Sequence, residues 1–230
     1  LRFKFLSMAD IAGAKLALEN REAEVWLNGN RVWSRGDGWY VDQDIICREL
    51  GIISRGENEL IVKIPYRKKE NIEAMFLLGD FGVQTAGAES ILTAPVRKLA
   101  YADITRQGLP FYGGNIEYHI PFQLEKRQKI LVEASRFRAP LLKVQIDEGR
   151  KHTIAYAPYQ VKAEIEEGEH VLKLTVFGNR INTFGTLHNC NETEQWYGPN
   201  AWRTEGTCWA SEYQLKPSGI LKAPLLYVCD

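Results

Sequence analysis

The chain is written in short runs of alternating apolar and polar residues, each closed by a turn signal. LRFKFL at Leu1–Leu6, ELIVKIP at Glu59–Pro65, KILVEAS at Lys129–Ser135 and HVLKLTVF at His170–Phe177 are such runs. A period of two puts the apolar side chains on one face of a strand, and no segment keeps the 3.6-residue period of a long amphipathic helix. Gly, Asn, Asp and Pro punctuate the runs at intervals of about 8–12 residues, the spacing of β-sandwiches. The fold class that follows is all-β.

The pattern occurs twice. Leu1-Arg2-Phe3-Lys4-Phe5 matches Ile116-Glu117-Tyr118-His119-Ile120, Val25-Trp26-Leu27-Asn28 matches Val144-Gln145-Ile146-Asp147, and Gly56-Glu57-Asn58-Glu59-Leu60 matches Gly168-Glu169-His170-Val171-Leu172. The three matches keep their order at a spacing of about 115 residues, which describes a tandem duplication. The stretch QGLPFYGGNIEYHIPF divides the copies, with Gln107–Gly114 as the seam and Asn115–Phe122 as the second opening strand. The expected architecture is two tandem jelly-roll β-sandwich domains, 1–106 and 107–230. In that topology the first and last strands lie side by side. Asn115–Phe122 is therefore expected beside Trp209–Leu215 or Leu221–Val228, the closing strands.

Finer expectations follow from the same pattern. Ala23–Leu27 is a strand with Trp26 in the core, and Asn28-Gly29-Asn30 is a tight hairpin turn. Trp39–Ile46 enters a short helix or loop through Leu50. Glu73–Val83 is one apolar strand with a glycine interruption. Ile91–Tyr101 and Asn179–His188 are weaker strands. His119 and His170 face solvent.

Composition excludes several partners. Lys+Arg and Asp+Glu are both 29, so the net charge is zero, and no basic surplus favours nucleic acid. The run Arg67-Lys68-Lys69, followed by Glu70 and Glu73, reads as a solvated turn. No apolar run reaches the roughly 20 residues that span a bilayer. The chain starts without Met and opens directly on a strand, as a piece of a longer protein would. Cys47, Cys190, Cys208 and Cys229 show no metal-binding spacing and read as free thiols, with a Cys190–Cys208 bridge as the alternative.

Two features carry a family resemblance. EVWLNGNRV is a strand, an Asn-Gly turn and a return strand; GENELIVKI is Gly-x-Asn-x-Leu leading into alternation. Together they resemble the galactose-binding-like β-sandwich that accompanies glycoside hydrolases of family 2 and related α-L-rhamnosidase-like enzymes. The second unit departs in detail, with Asp147-Glu148-Gly149 for Asn-Gly and Gly168-Glu169-His170 for Gly-Glu-Asn. LLGDFGV, QGLPFYGGNIEY and WYGPNAWRTEG…YQLKPSGIL are similar to the C-terminal region of large enzymes of that kind. The resemblance implies a non-catalytic accessory region behind a catalytic domain of the same longer chain. No catalytic residue carries over from it.

The residues themselves offer limited chemistry. A glycosidase needs two carboxylates about 5–9.5 Å apart, and Asp80, Glu192, Glu194 and Glu205 are the candidates. No nucleophile elbow, H-E-x-x-H or calcium loop occurs. No cofactor is expected, though a structural calcium on backbone carbonyls and scattered carboxylates stays open. Sugar rings pack their C–H faces on exposed aromatics while polar side chains bond the hydroxyls. Asn189–Tyr213 is the stretch that fits, with Trp196, Tyr197, Trp202, Arg203 and Trp209 as candidate carbohydrate contacts. Trp39 and Tyr40, with Trp33 around Gly36-Asp37-Gly38, form a second group. The alternative for these rings is to plug the sandwich end or dock on the catalytic domain. The function expected is a non-catalytic accessory region giving interdomain structure and carbohydrate contact. A free-standing carbohydrate-binding module and a small glycosidase with its own carboxylate pair are the other readings.

Overall fold

A computed structural model describes every residue except Arg35, Asp37, Lys69, Glu70, Asn71 and Asp230. The centre of the Gly36-Asp37-Gly38 turn and the Lys69-Glu70 end of the basic run thus lie outside the described residues. The chain is nearly all β and forms two compact units, Leu1–Arg97 and Lys98–Asp230.

The first unit contains β1 (Arg2–Ser7), β2 (Ile11–Leu18), β3 (Glu24–Leu27), β4 (Asn30–Val32), β5 (Trp39–Tyr40), β6 (Asp42–Ile53), β7 (Gly56–Lys63), β8 (Phe76–Leu78), β9 (Gly82–Ala86) and β10 (Glu89–Thr93). They make a six-stranded sheet, β4-β3-β7-β1-β10-β9, and a four-stranded sheet, β5-β6-β2-β8. Alternation sends Val25 and Leu27 of β3 and Leu60 and Val62 of β7 inward, where they meet Leu16 and Leu18 of β2 and Leu50 and Ile53 of β6. Burying each such side chain contributes about 1.5–3 kcal/mol.

Three local expectations change. β6 is one twelve-residue strand with no helix or loop before Leu50, because Ile45, Cys47, Leu50 and Ile53 all feed the interior. Its register against β2 shifts where Ala14 faces Gly51. Gly51 has a φ of +85°, a left-handed conformation that bulges favour and that a side chain resists. The apolar run Glu73–Val83 is two strands: β8 joins the four-stranded sheet and β9 the six-stranded one. Trp26 is half-buried on the outer face, with Lys63 Nζ 4.5 Å from its ring centroid, since its parity is opposite to that of Val25 and Leu27.

The second unit begins with a lead-in that carries a 3-10 turn at Ile104–Arg106. Leu99 and Tyr101 pack against this unit's own core. The strands are β11 (Ile116–Leu124), β12 (Gln128–Glu133), β13 (Phe137–Arg138), β14 (Leu142–Ile146), β15 (His152–Ile154), β16 (Gln160–Ile165), β17 (Gly168–Val176), β18 (Gly219–Ile220) and β19 (Leu225–Cys229). One sheet runs β11-β17-β14-β15 and another β16-β12-β19, with a small β13-β18 pair. Ile130, Val132, Leu142, Val144, Leu172 and Leu174 bring these sheets onto one core.

Seven strands of each unit share one pairing order, while β5, β9 and β10 of the first unit and the β13-β18 pair of the second stand outside it. β1-β7-β3-β4 corresponds to β11-β17-β14-β15, and β6-β2-β8 to β16-β12-β19. Three expectations fail, the first being that the opening strand β11 lies beside a closing strand. β17 flanks β11, while β19 pairs with β12. Trp209–Leu215 contributes only an isolated bridge, Asn189 to Trp209, and Asn179–His188 holds a one-turn helix, α1 (Ile181–Phe184), in place of a strand.

Candidate functional site

The polar, aromatic segment Asn179–Ser218 is ordered by buried amides. Asn182, in α1, donates to the Lys216 carbonyl at 2.7 Å and accepts from the Lys216 N–H at 2.8 Å. Thr183 donates to the Phe111 carbonyl at 2.8 Å. Asn189 is buried at the centre of the loop. Its amide donates to Glu194 Oε2 at 2.6 Å and to the Ala201 carbonyl at 3.0 Å, and its oxygen accepts from the Asn191 N–H. A buried amide with these partners is worth more than a solvated one, because leaving it unpaired costs about 1–3 kcal/mol.

The seam stretch supports this loop. Gln107 accepts from the Ala100 N–H and donates to the carbonyls of Ala100, Ala102 and Asp103, tying down the lead-in. Gly178, just past β17, has its own requirement. A Cβ there would stand 2.2 Å from the Gly114 carbonyl and 2.3 Å from that of Gly113, so the two segments approach as closely as they do only with glycine. Phe111 meets Tyr213 edge-on at 4.9 Å, Tyr213 meets His188 at 5.3 Å, and His188 meets Trp209 at 6.4 Å. His188 Nδ1 faces the Ala210 carbonyl at 3.0 Å, which fixes the proton on that nitrogen.

The candidate rings therefore differ in kind. Trp209 belongs to this ring ladder. Trp202 is tethered by its indole N–H to the Phe184 carbonyl at 3.1 Å but stays exposed over its face. Arg203 pairs with Glu194 at 3.4 Å, and both are largely buried. Trp196 is 87% exposed and Tyr197 also projects into solvent. The loop thus presents Trp196, Tyr197 and the face of Trp202 on a scaffold knotted by Asn189, Glu194 and Arg203. Nothing in the sequence pattern singled out Asn189; the only signal was its place at the head of the Trp-rich stretch.

The second group separates. Trp39 is exposed, whereas Tyr40 packs its ring on Phe76 at 5.5 Å. Trp33, 76% exposed, has the Arg31 guanidinium 4.5 Å from its centroid. Among the carboxylates, Asp80 is exposed and paired with Arg97 at 2.7 Å, and Glu194 is committed to Asn189 and Arg203. All four cysteines are free; Cys190 and Cys208 lie opposite one another, joined by a backbone bond of 3.0 Å. Among the described residues, no group of three or more His, Cys, Asp or Glu gathers as metal ligands, and no helix is long and apolar enough to cross a membrane.

A different site stands out in both units at the first hairpin. Asn28, in the β3–β4 turn, accepts from the Glu59 N–H at 2.8 Å and donates to Asn58 Oδ1 at 2.8 Å. Asp147, in the β14–β15 turn, accepts from the Val171 N–H at 2.8 Å and faces His170 Nδ1 at 2.8 Å. His170 Nε2 faces the Glu166 carbonyl at 3.0 Å. The Asp147 hydrogen bond raises the His170 pKa despite burial, with help from Glu166. Burial opposes ionisation of Asp147, but the bonds from His170 and Val171 and the charges of His170 and Lys173 carry its pKa below the ordinary value. No family model and no curated protein matches the chain.

Proposed function

We propose that the chain is a tandem pair of jelly-roll, galactose-binding-like β-sandwich domains. It serves as a non-catalytic accessory region of a glycoside hydrolase related to family 2 and the α-L-rhamnosidase-like enzymes. It contributes interdomain structure and carbohydrate contact. The observation that carries the reading is the loop scaffold: Asn189 and Glu194 spend their polar groups on holding the loop, Arg203 pairs with Glu194 through one terminal nitrogen, and the rings of Trp196, Tyr197 and Trp202 are left facing solvent. Exposed aromatic faces on a rigid support suit the C–H face of a sugar or an apolar patch of a neighbouring domain. The shared strand order supports the duplication. The engagement of Asp80 with Arg97 and of Glu194 with Asn189 argues against a carboxylate pair free for general acid–base work.

The test has two arms. The chain is incubated with 4-nitrophenyl α-L-rhamnoside and 4-nitrophenyl β-D-galactoside, and no turnover above buffer is expected. Turnover abolished by Asp80→Ala would make the chain a glycosidase and overturn the reading. In affinity electrophoresis through plant cell-wall polysaccharides, retardation is expected, reduced in Trp196→Ala and Trp202→Ala. Equal mobility of both variants and the parent would remove the loop from the carbohydrate role.

A further inference from the structure

Each unit has a cleft at the same place in its strand order, between the first hairpin and the corresponding strand of the opposite sheet, β6 or β16. In the first unit it lies between β3–β4 and Glu49–Ser54 and has a volume of about 410 Å³. In the second it lies between β14–β15 and β16 and measures about 320 Å³. The furnishing differs. One residue beyond Val32, the partner of Val25, the first hairpin carries Trp33; one residue beyond His152, the partner of Val144, the second carries Thr153. The hairpin forms with either, so the fold does not require an indole there.

The indole is held nonetheless. The Arg31 guanidinium lies over one face of the Trp33 ring, 4.5 Å from its centroid, and is itself paired with Glu24, which leaves the other face for a ligand. A ring fixed by a cation loses less rotamer freedom on binding than a free one. The β6 bulge at Gly51 forms part of the opposite wall, and Ile52 is exposed there. Bulges recur where a strand is re-aimed beside a site. Asn30, Glu49 and Ser54 supply polar groups along the cleft. Its charges are matched internally, Arg31 by Glu24 and Glu49 by Lys15 at 2.6 Å, so no unmatched charge asks for an acidic sugar.

We propose that the cleft beside Trp33 binds a neutral pyranose ring, its C–H face on the indole and its hydroxyls on Asn30, Glu49 and Ser54. The proposal rests on the carbohydrate reading above but does not need the Asn189–Tyr213 loop. The full 230-residue chain is titrated with cellohexaose, xylohexaose and mannohexaose by calorimetry, and the Trp33 indole N–H resonance is followed by NMR. At least one sugar is expected to bind saturably and shift that resonance. Trp33→Thr, which installs the residue of the second hairpin, is expected to weaken binding at least tenfold, and Trp33→Tyr to restore it to within about threefold. Trp196→Ala and Trp202→Ala are expected to leave this binding unchanged. Binding that survives Trp33→Thr but falls in the loop variants overturns the proposal and leaves the loop reading standing. A Trp33 resonance unmoved by all three sugars overturns it without recourse to any variant.

Discussion

The hairpin locks of the two units do the same job with different chemistry. In the first, Asn28 accepts the Glu59 N–H and joins Asn58, whose amide reaches back four residues to the Ser54 carbonyl at 2.7 Å. In the second, Asp147 accepts the Val171 N–H and joins His170, whose Nε2 reaches back four residues to the Glu166 carbonyl. Asn28 and Asp147 even share a left-handed backbone, with φ of 50° and 49°. Short polar side chains tolerate that conformation because they bond the local backbone. The difference is charge. The Asn pair is neutral at every pH. His170 has an acceptor on each ring nitrogen, so only the imidazolium donates to both.

The largest effect is expected from removing the central residue of the neutral lock. Asn58 is buried and also bonds the Gly56 carbonyl and the Ser54 N–H. Asn58→Ala would strip partners from Asn28 and from the Ser54–Gly56 turn, costing about 3 kcal/mol. His170→Ala removes fewer bonds and leaves Asp147 half in solvent, so about 1–2 kcal/mol is expected. Urea unfolding of both variants at pH 6 measures the difference, and amide exchange at Glu59 and Val171 assigns each loss to its own unit. Equal costs would mean that the number of bonds each central residue makes does not set what its lock contributes.

The next effect is the pH profile. A His held above its ordinary 6.5 adds stability that is complete below that value and lost as pH rises through the raised one. An Asp held below its ordinary 3.8 adds stability present above that value and lost as pH falls through the lowered one. Protection of the Val171 amide, relative to the Glu59 amide, should thus be greatest between about pH 4 and 6.5 and decline on both sides. The charge acting on the pair from outside it is Lys173 of β17, which pairs with Glu148 of the β14–β15 turn at 2.5 Å, and the Phe122 ring lies 5.4 Å from His170. Asp147→Asn with His170→Asn rewrites the second lock as the first. The double variant should lose the pH dependence and cost about 1 kcal/mol at pH 6. A profile unchanged by that swap would place its origin elsewhere.

The locks also mark what the sequence made legible. Matching GENEL to GEHVL and VWLN to VQID aligned the lock residues of the two units, Asn28 with Asp147 and Asn58 with His170. Reading His170 as solvent-facing nevertheless missed its parity: it shares a face with buried Leu172 and Leu174, as Asn58 does with Leu60 and Val62. His119, on the face opposite buried Tyr118, is exposed. The alternation carries that distinction; at His170 the polar type of the residue and its inward position disagree. Sheet membership was less legible. Glu73–Val83 looks continuous, yet Gly79–Phe81 passes it from one sheet to the other, which local pattern does not encode. Least legible was the loop. Trp196, Trp202 and Trp209 look alike in sequence, but one projects, one is tethered to Phe184 and one joins a ring ladder. Those fates depend on carbonyls and rings supplied by distant segments.

The smallest expected effect isolates the charge around the second lock. Lys173 lies on β17, where it pairs with Glu148, and its charge favours the ionised form of Asp147. Its counterpart in the first unit, by the same alignment, is Ile61, so the neutral lock has no cation at that position. Lys173→Gln removes the charge while leaving the Asp147–His170 and Asp147–Val171 bonds in place. The Asp147 pKa should then rise slightly toward its ordinary value, moving the acid limb of the Val171 protection profile upward in pH, while the basic limb set by His170 stays nearly fixed. Carboxyl-carbon NMR titration of Asp147 reads this directly. Because Lys173 is in contact with solvent, 1 M salt should reproduce most of the shift in the parent chain by screening. If Lys173→Gln moved both limbs together, the lysine would be holding the hairpin's geometry, and the lock would be a four-residue unit in which charge and shape cannot be separated.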